Sequence, residues 1–208
     1  MDFDNTITVG EVSLALLREF ADGDWYEPYF LHVTGEIALE ELMRRQFAMI
    51  RCSKEEIVRF VRETTVVRPG FSEFVRFCND REVPVAVCSA GMDFYVEAVL
   101  SALDIPPVQL VVGETTFGTD GIRVRYPEGV GGLDFKATFV KRKGEAGYHV
   151  IHIGDGISDR GAAEEASFVF ARDGLLEFCR RSSLPHLPFD DFRDVRRGLE
   201  SLLAGARP

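Results

Sequence analysis

Two carboxylates two residues apart, Asp2 and Asp4, open the chain and are followed by Asn5 and Thr6. In an extended segment residues i and i+2 share a face, so both side chains can converge on one site at the end of a strand. Such a close pair repels unless a cation or a shared proton intervenes. A hard, oxygen-seeking cation such as Mg2+ meets that need, above all beside a phosphate. One carboxylate could then attack while the other moves protons. A frayed acidic terminus accounts for the same residues equally well, so the rest of the chain must decide.

Further along, the same kind of chemistry recurs wherever an apolar run ends. Ser89 follows the strand-like 83–88 beside Ala90 and Gly91, small residues that let backbone N–H groups approach an anion. It fits a simple helix cap as well. Asp155 is bracketed by glycines after the apolar 149–153 and suits a metal ligand. Asp159, four residues on, suits a carboxylate behind the ligands, although a turn and a helix cap would use the same residues. Lys136 lies in a helical stretch after a glycine-rich segment, where a solvated lysine is the common outcome.

These groups need elements to position them. Residues 11–20 read as an amphipathic helix ended by Asp22-Gly23-Asp24. The aromatic stretch 25–33 is expected to pack as core rather than line a pocket. Helical spacing covers 37–50, and Ser53 with Glu56 makes a capping box for a helix to about Thr64. After the Arg68-Pro69-Gly70 turn the pattern alternates: helix 71–80, strand 83–88, helix 93–103, strand 108–112, a hairpin or excursion over 114–132, helix 134–143, strand 149–153, a helix from Ser158 to Ala166, strand 168–171, helix 174–181 and a closing helix 191–204. Strand–helix alternation of this kind predicts an α/β fold with a parallel sheet covered on both faces. In such sheets ligands bind beyond the carboxyl ends of the strands. Asp2 and Asp4, Ser89, and Asp155 and Asp159 would all fall on that edge, which weighs against a frayed terminus.

Composition sets the bounds. The 208 residues make one large domain, or a core with an insertion. A net charge of -10 argues against a nucleic-acid binder, which needs excess Lys and Arg. No apolar run reaches the roughly 20 residues of a membrane span, and a basic start followed by an apolar run is absent. The four cysteines have no metal-ligand spacing and read as reduced core thiols of a cytoplasmic protein. The four histidines show no zinc spacing either.

Taken together, DFDNT at 2–6, Ser89 at the end of VAVCSAG, Lys136 and GDGISD at 154–159 resemble the four motifs of the haloacid dehalogenase superfamily of phosphotransferases. The resemblance frames nearly the whole chain. It implies a Rossmann-like parallel core at 1–8 and 66–208, with a helical cap inserted at 9–65. It implies Asp2 as the nucleophile forming an aspartyl-phosphate, and Asp4 as the acid for the leaving alcohol and then the base for water. Ser89 and Lys136 would hold phosphoryl oxygens. Asp2, the Asp4 carbonyl and Asp155 would bind Mg2+, with Asp159 behind them. The cap resembles that of the phosphoserine-phosphatase-like branch, subfamily IB. SAGMDFYV at 89–96 and the tail 170–192 are similar to the methionine-salvage phosphatases acting on 2-hydroxy-3-keto-5-methylthiopentenyl-1-phosphate.

For the alternative, phosphoserine, Glu11 matches the acid that holds the substrate ammonium, but Gln46 stands where the carboxylate-gripping arginine is expected, with Arg44 and Arg45 beside it. A one-residue shift turns a helical side chain by about 100°, so those neighbours are poor substitutes. The resemblance thus implies a small phosphorylated metabolite as partner, not nucleic acid or membrane, and the expected state is a monomer or homodimer. A catalytically weak metabolite-binding protein and a phosphotransferase to another alcohol remain the readings of a different class. In the superfamily the first motif follows a buried apolar strand. Here only Met1 precedes Asp2, and the expectation is a working start upstream.

Overall fold

The computed structural model describes residues 1–119, 121–126 and 135–205. After the N-terminal loop come four helices in succession, Val12–Phe20 (α1), Tyr26–Val33 (α2), Leu39–Phe47 (α3) and Lys54–Thr64 (α4). Both sides of the α4 capping box form: Ser53 Oγ accepts from the Glu56 N–H, and the Glu56 carboxylate accepts from the Ser53 N–H. Thr8 and Val67 make an antiparallel bridge, so the two ends of this helical block lie side by side.

Beyond Phe71–Asp80 (α5) the alternation begins. Ala86–Met92 (β1), Asp93–Leu100 (α6), Gln109–Gly118 (β2) and Gly121–Arg125 (β3) form one three-stranded sheet, with β1 and β2 parallel and β2–β3 an antiparallel hairpin. Phe135–Glu145 (α7) leads to a second, wholly parallel sheet: Ile151–Gly154 (β4), Phe168–Ala171 (β5) and His186–Pro188 (β6), separated by Arg160–Glu165 (α8) and Asp173–Arg181 (α9). Phe192–Leu203 (α10) closes the chain.

Met1 and Asp2 stitch the two sheets together. The Met1 amine donates to the Ala86 carbonyl at 2.9 Å. The Cys88 N–H donates to the Met1 carbonyl at 2.8 Å, and the Asp2 N–H to the Ile153 carbonyl at 2.9 Å. Beside this stitch lies a cavity of about 230 Å³ between β1 and β4, lined by Met1, Val85, Cys88, Ile151 and Ile153 among others. Burial in it lowers the pKa of the Met1 amine.

Side chains alternate across the pleat. Val87, Val112 and Phe170 enter the main core with α5, α6 and α10. Their chain neighbours Cys88 and Val111 face α7, while Val169 and Ala171 face α8 and α9. The helices therefore cover both faces.

Three expectations need correction. β1 begins after Pro84, which lacks the N–H a ladder needs, and it runs on to Met92 rather than stopping at Cys88. Its register with β2 slips between Cys88 and Met92, so Ser89-Ala90-Gly91 form a bulge, not the turn between strand and helix. The aromatic stretch is not core: Tyr26, Tyr29 and Phe30 are exposed, and Pro28 is the buried residue of α2. β6 was not anticipated, being only three residues with a proline. Residues 127–134, part of the expected excursion and the first position of the expected helix 134–143, lie outside the described residues.

Candidate active site

Asp2 stands where the stitch between the sheets ends. Its Oδ1 accepts the Phe3 N–H at 2.8 Å, and its Oδ2 lies 2.9 Å from Lys136 Nζ. The chain then turns sharply, because Asn5 is left-handed at φ 55°, a conformation Asn tolerates better than most residues. Buried Arg68 clamps this turn from below. Its guanidinium donates to the carbonyls of Asn5 at 2.7 Å, Thr6 at 2.8 Å and Thr8 at 3.1 Å. The sequence suggested only a turn there.

Asp4 points towards the helical block. Its Oδ1 accepts the Val12 N–H at 2.7 Å, at the start of α1, and its Oδ2 accepts the Tyr95 hydroxyl at 3.2 Å. Burial, then the neighbouring Asp2 charge, pushes its carboxyl up to about 7. Asp155 is held through the turn that Asp2 begins: Thr6 Oγ1 donates to its Oδ1 at 2.7 Å and Asn5 Nδ2 to its Oδ2 at 2.8 Å. Burial raises it to about 6 despite those donors. Asn5 and Thr6 thus hold a carboxylate 150 residues away, a role their own neighbourhood in sequence does not announce.

Lys136 is buried, contrary to the solvated-lysine reading. Its Nζ contacts Asp2 Oδ2 at 2.9 Å, Asp159 Oδ1 at 2.8 Å and Ser158 Oγ at 3.2 Å. Burial disfavours its charge, but Asp159 and Asp2 outweigh that and hold the pKa above the ordinary lysine value. Asp159 is fully buried. Burial would raise it, yet Lys136 and His152 hold it well below the usual carboxylate range. Its Oδ2 accepts the N–H groups of Asp155 and Gly156, both at 3.1 Å, and His152 Nε2 lies 3.1 Å from its Oδ1. Burial lowers the His152 pKa, so the ring is neutral and the carboxylate partner places its proton on Nε2. An apolar-looking strand concealed this histidine from sequence reasoning.

Ser89 is buried one residue beyond Cys88, whose N–H bonds to the Met1 carbonyl, so its backbone runs alongside Asp2. Its Oγ accepts the Gly91 N–H at 3.2 Å. Glu11 is exposed at the N-cap of α1 and makes no capping bond. Gln46 is buried with its Nε2 donating to the Trp25 carbonyl at 2.9 Å, whereas Arg44 and Arg45 are exposed and paired with Glu41.

Asp2, Asp155 and Asp159 each offer an oxygen, and these oxygens lie within 4.8 Å of one another. Lys136 is set against them, and burial, with the Asp2 charge adding to it, raises the carboxyls of Asp4 and Asp155. An all-oxygen set of this kind suits a hard divalent cation. The two oxygens of Asp159 already meet four partners, Lys136, His152 and two backbone N–H groups, against two each for Asp2 and Asp155. Asp2 and Asp155 therefore keep more lone pairs to offer a cation, with Asp159 behind them.

Among the described residues no helix is long and apolar enough to cross a membrane. A family model for haloacid dehalogenase-like hydrolases matches residues 1–164. A Geobacillus kaustophilus protein named 2-hydroxy-3-keto-5-methylthiopentenyl-1-phosphate phosphatase is 34% identical over 97% of this chain and 94% of its own. One of the same name from Bacillus thuringiensis subsp. konkukian is 34% identical over 97% and 95%. In structure, a substrate-bound phosphoserine phosphatase superposes with a TM-score of 0.70 at 16% identity, covering 94% of each chain.

Proposed function

We propose that this chain, a member of the haloacid dehalogenase-like hydrolase family, hydrolyses a methionine-salvage enol-phosphate, 2-hydroxy-3-keto-5-methylthiopentenyl-1-phosphate, with the help of Mg2+. It is a phosphoric monoester hydrolase, and the observation carrying the mechanism is the pairing of Asp2 and Asp4. Asp2 Oδ2 is paired with Lys136 Nζ at 2.9 Å, while Asp4 is pushed up to about 7. One carboxylate is kept as a nucleophile and the other is poised to give and take a proton near neutral pH.

Asp2 attacks phosphorus as the ester P–O bond breaks, and Asp4 gives its proton to the departing alcohol oxygen. Asp4, now a carboxylate, takes a proton from the water that attacks the aspartyl-phosphate. The P–O bond to Asp2 breaks, phosphate leaves and both side chains are restored. Lys136 and Ser89 hold phosphoryl oxygens, Lys136 neutralising charge that gathers there. Asp2, the Asp4 carbonyl and Asp155 would hold the Mg2+, which when bound neutralises negative charge between the carboxylates and the phosphate. The core comprises 1–8 and 66–208 and the cap 9–65, a division supported by the bridge that joins Thr8 to Val67. Cap closure would exclude water and select the leaving group.

The salvage substrate is supported by relatives that match nearly the whole chain. Phosphoserine is the second reading. Glu11, one residue before the Val12 that binds Asp4, favours it. The engagement of Gln46 with Trp25 and of Arg44 and Arg45 with Glu41 disfavours it, because no arginine is left free in that helix for a carboxylate. Steady-state phosphate release from both esters, with Mg2+ and with EDTA, separates the readings. The expected result is Mg2+-dependent release with a higher kcat/KM for the enol-phosphate. A preference for phosphoserine would select the second reading, and release from neither ester in folded protein would leave a metabolite-binding protein. Release of a new phosphoester when other alcohols are added would indicate a phosphotransferase.

A further inference from the structure

Tyr95 is fully buried, and its hydroxyl reaches Asp4 Oδ2 at 3.2 Å. The phenol ring is gripped on three sides. Phe94 meets it edge-on at 5.3 Å, Phe3 lies tilted at 5.9 Å, and Phe47 of α3 stacks on it at 6.3 Å with 20° between the planes. The hydroxyl is also set into the β1 bulge. A Cβ on Gly91 would stand 2.5 Å from the phenol oxygen, so only glycine leaves room for it. The Asp4 carboxylate is the acceptor for the hydroxyl proton. A buried tyrosine hydroxyl without such an acceptor would be costly.

Resting on the hydrolase reading above, we propose that Tyr95 is a positioning residue for the acid–base carboxyl of Asp4. Val12 holds Oδ1 from the first helix of the insertion, and Tyr95 holds Oδ2 from the core. The two donors fix the rotation of the carboxyl plane and leave the remaining lone pairs of Asp4 to carry the transferred proton. Tyr95 does not touch the reacting atoms. It acts by keeping Asp4 aimed at the leaving oxygen and then at the attacking water.

Such a role has a signature that packing alone lacks: its importance grows with the leaving group's need for a proton. Tyr95→Phe keeps the ring and removes one oxygen. Rapid-quench measurement of phosphoenzyme formation, across monoesters from p-nitrophenyl to simple alkyl leaving groups, reads the effect. The expected loss is roughly tenfold for alkyl esters, with formation from p-nitrophenyl phosphate nearly unchanged and KM little moved. In an Asp4→Asn background, Tyr95→Phe should cost nothing more. Site-specific 3-fluorotyrosine at position 95 gives a second probe that preserves the packing, and it should alter the alkyl rate without altering the nitrophenyl rate. An equal loss for every leaving group, or no loss for any, overturns the proposal while the hydrolase reading stands. Failure of the unaltered chain to form a phosphoenzyme from any ester overturns both.

Discussion

At the scale of single residues, the site depends on where each buried polar group finds its partner. Arg68 shows this without touching the chemistry. Its guanidinium carries the carbonyls of Asn5, Thr6 and Thr8, the turn that aims Asn5 and Thr6 at Asp155. Arg68→Ala would leave those carbonyls short of donors inside the protein. The expected cost is about 3 kcal/mol of unfolding free energy, read from urea denaturation, together with weaker Mg2+ activation. A loss below about 0.5 kcal/mol, the range of an ordinary surface substitution, would show that the turn holds itself.

At the scale of elements, the end of β4 is where the site is most tightly built. A Cβ on Gly154 would lie 2.6 Å from Asp159 Oδ2 and 2.9 Å from His152 Nε2. Gly154→Ala must therefore displace the carboxylate that holds Lys136 and the Asp155 and Gly156 N–H groups. The expected outcome is a kcat loss of about a hundredfold in a chain that still folds; unchanged kcat would mean Asp159 has slack. The glycines around Asp155 were visible in the sequence as a turn, and so was the end of the strand that carries Asp155. Strong periodicity made α4, α5, α9 and α10 legible to within about two residues, the usual precision of helix ends. The rest needed tertiary contacts. The burial of Lys136 depends on two carboxylates far from it in sequence. The outward face of α2 depends on how little packs upon it. The Ser89 bulge depends on how β2 pairs.

For the whole molecule, the gathered carboxylates make stability depend on pH and metal. Burial raises Asp4 to about 7 and Asp155 to about 6, from 3.8 in each case. A carboxyl raised on folding binds more protons in the folded chain, so its contribution is fullest below the unfolded value and is lost as pH rises through the folded one. Asp159 is held low, and its contribution is lost only as pH falls below the ordinary carboxylate range. Metal-free protein should therefore be most stable in mild acid and lose on the order of a few kcal/mol by about pH 8. Mg2+ supplies counter-charge and should raise Tm far more at about pH 8 than at about pH 5. Thermal melts in EDTA and in Mg2+ check this; a Tm indifferent to both variables would contradict it.

The central claim is that Asp2 carries the phosphoryl group between ester and water. Acid quenching during turnover, followed by borohydride reduction and peptide mapping, tests it most directly, because reduction converts an acyl-phosphate to an alcohol. The account predicts homoserine at position 2 in the turning-over enzyme. It predicts none in Asp2→Asn, and none without substrate. Phosphate release with an unlabelled Asp2, or with the label on another residue, would contradict it.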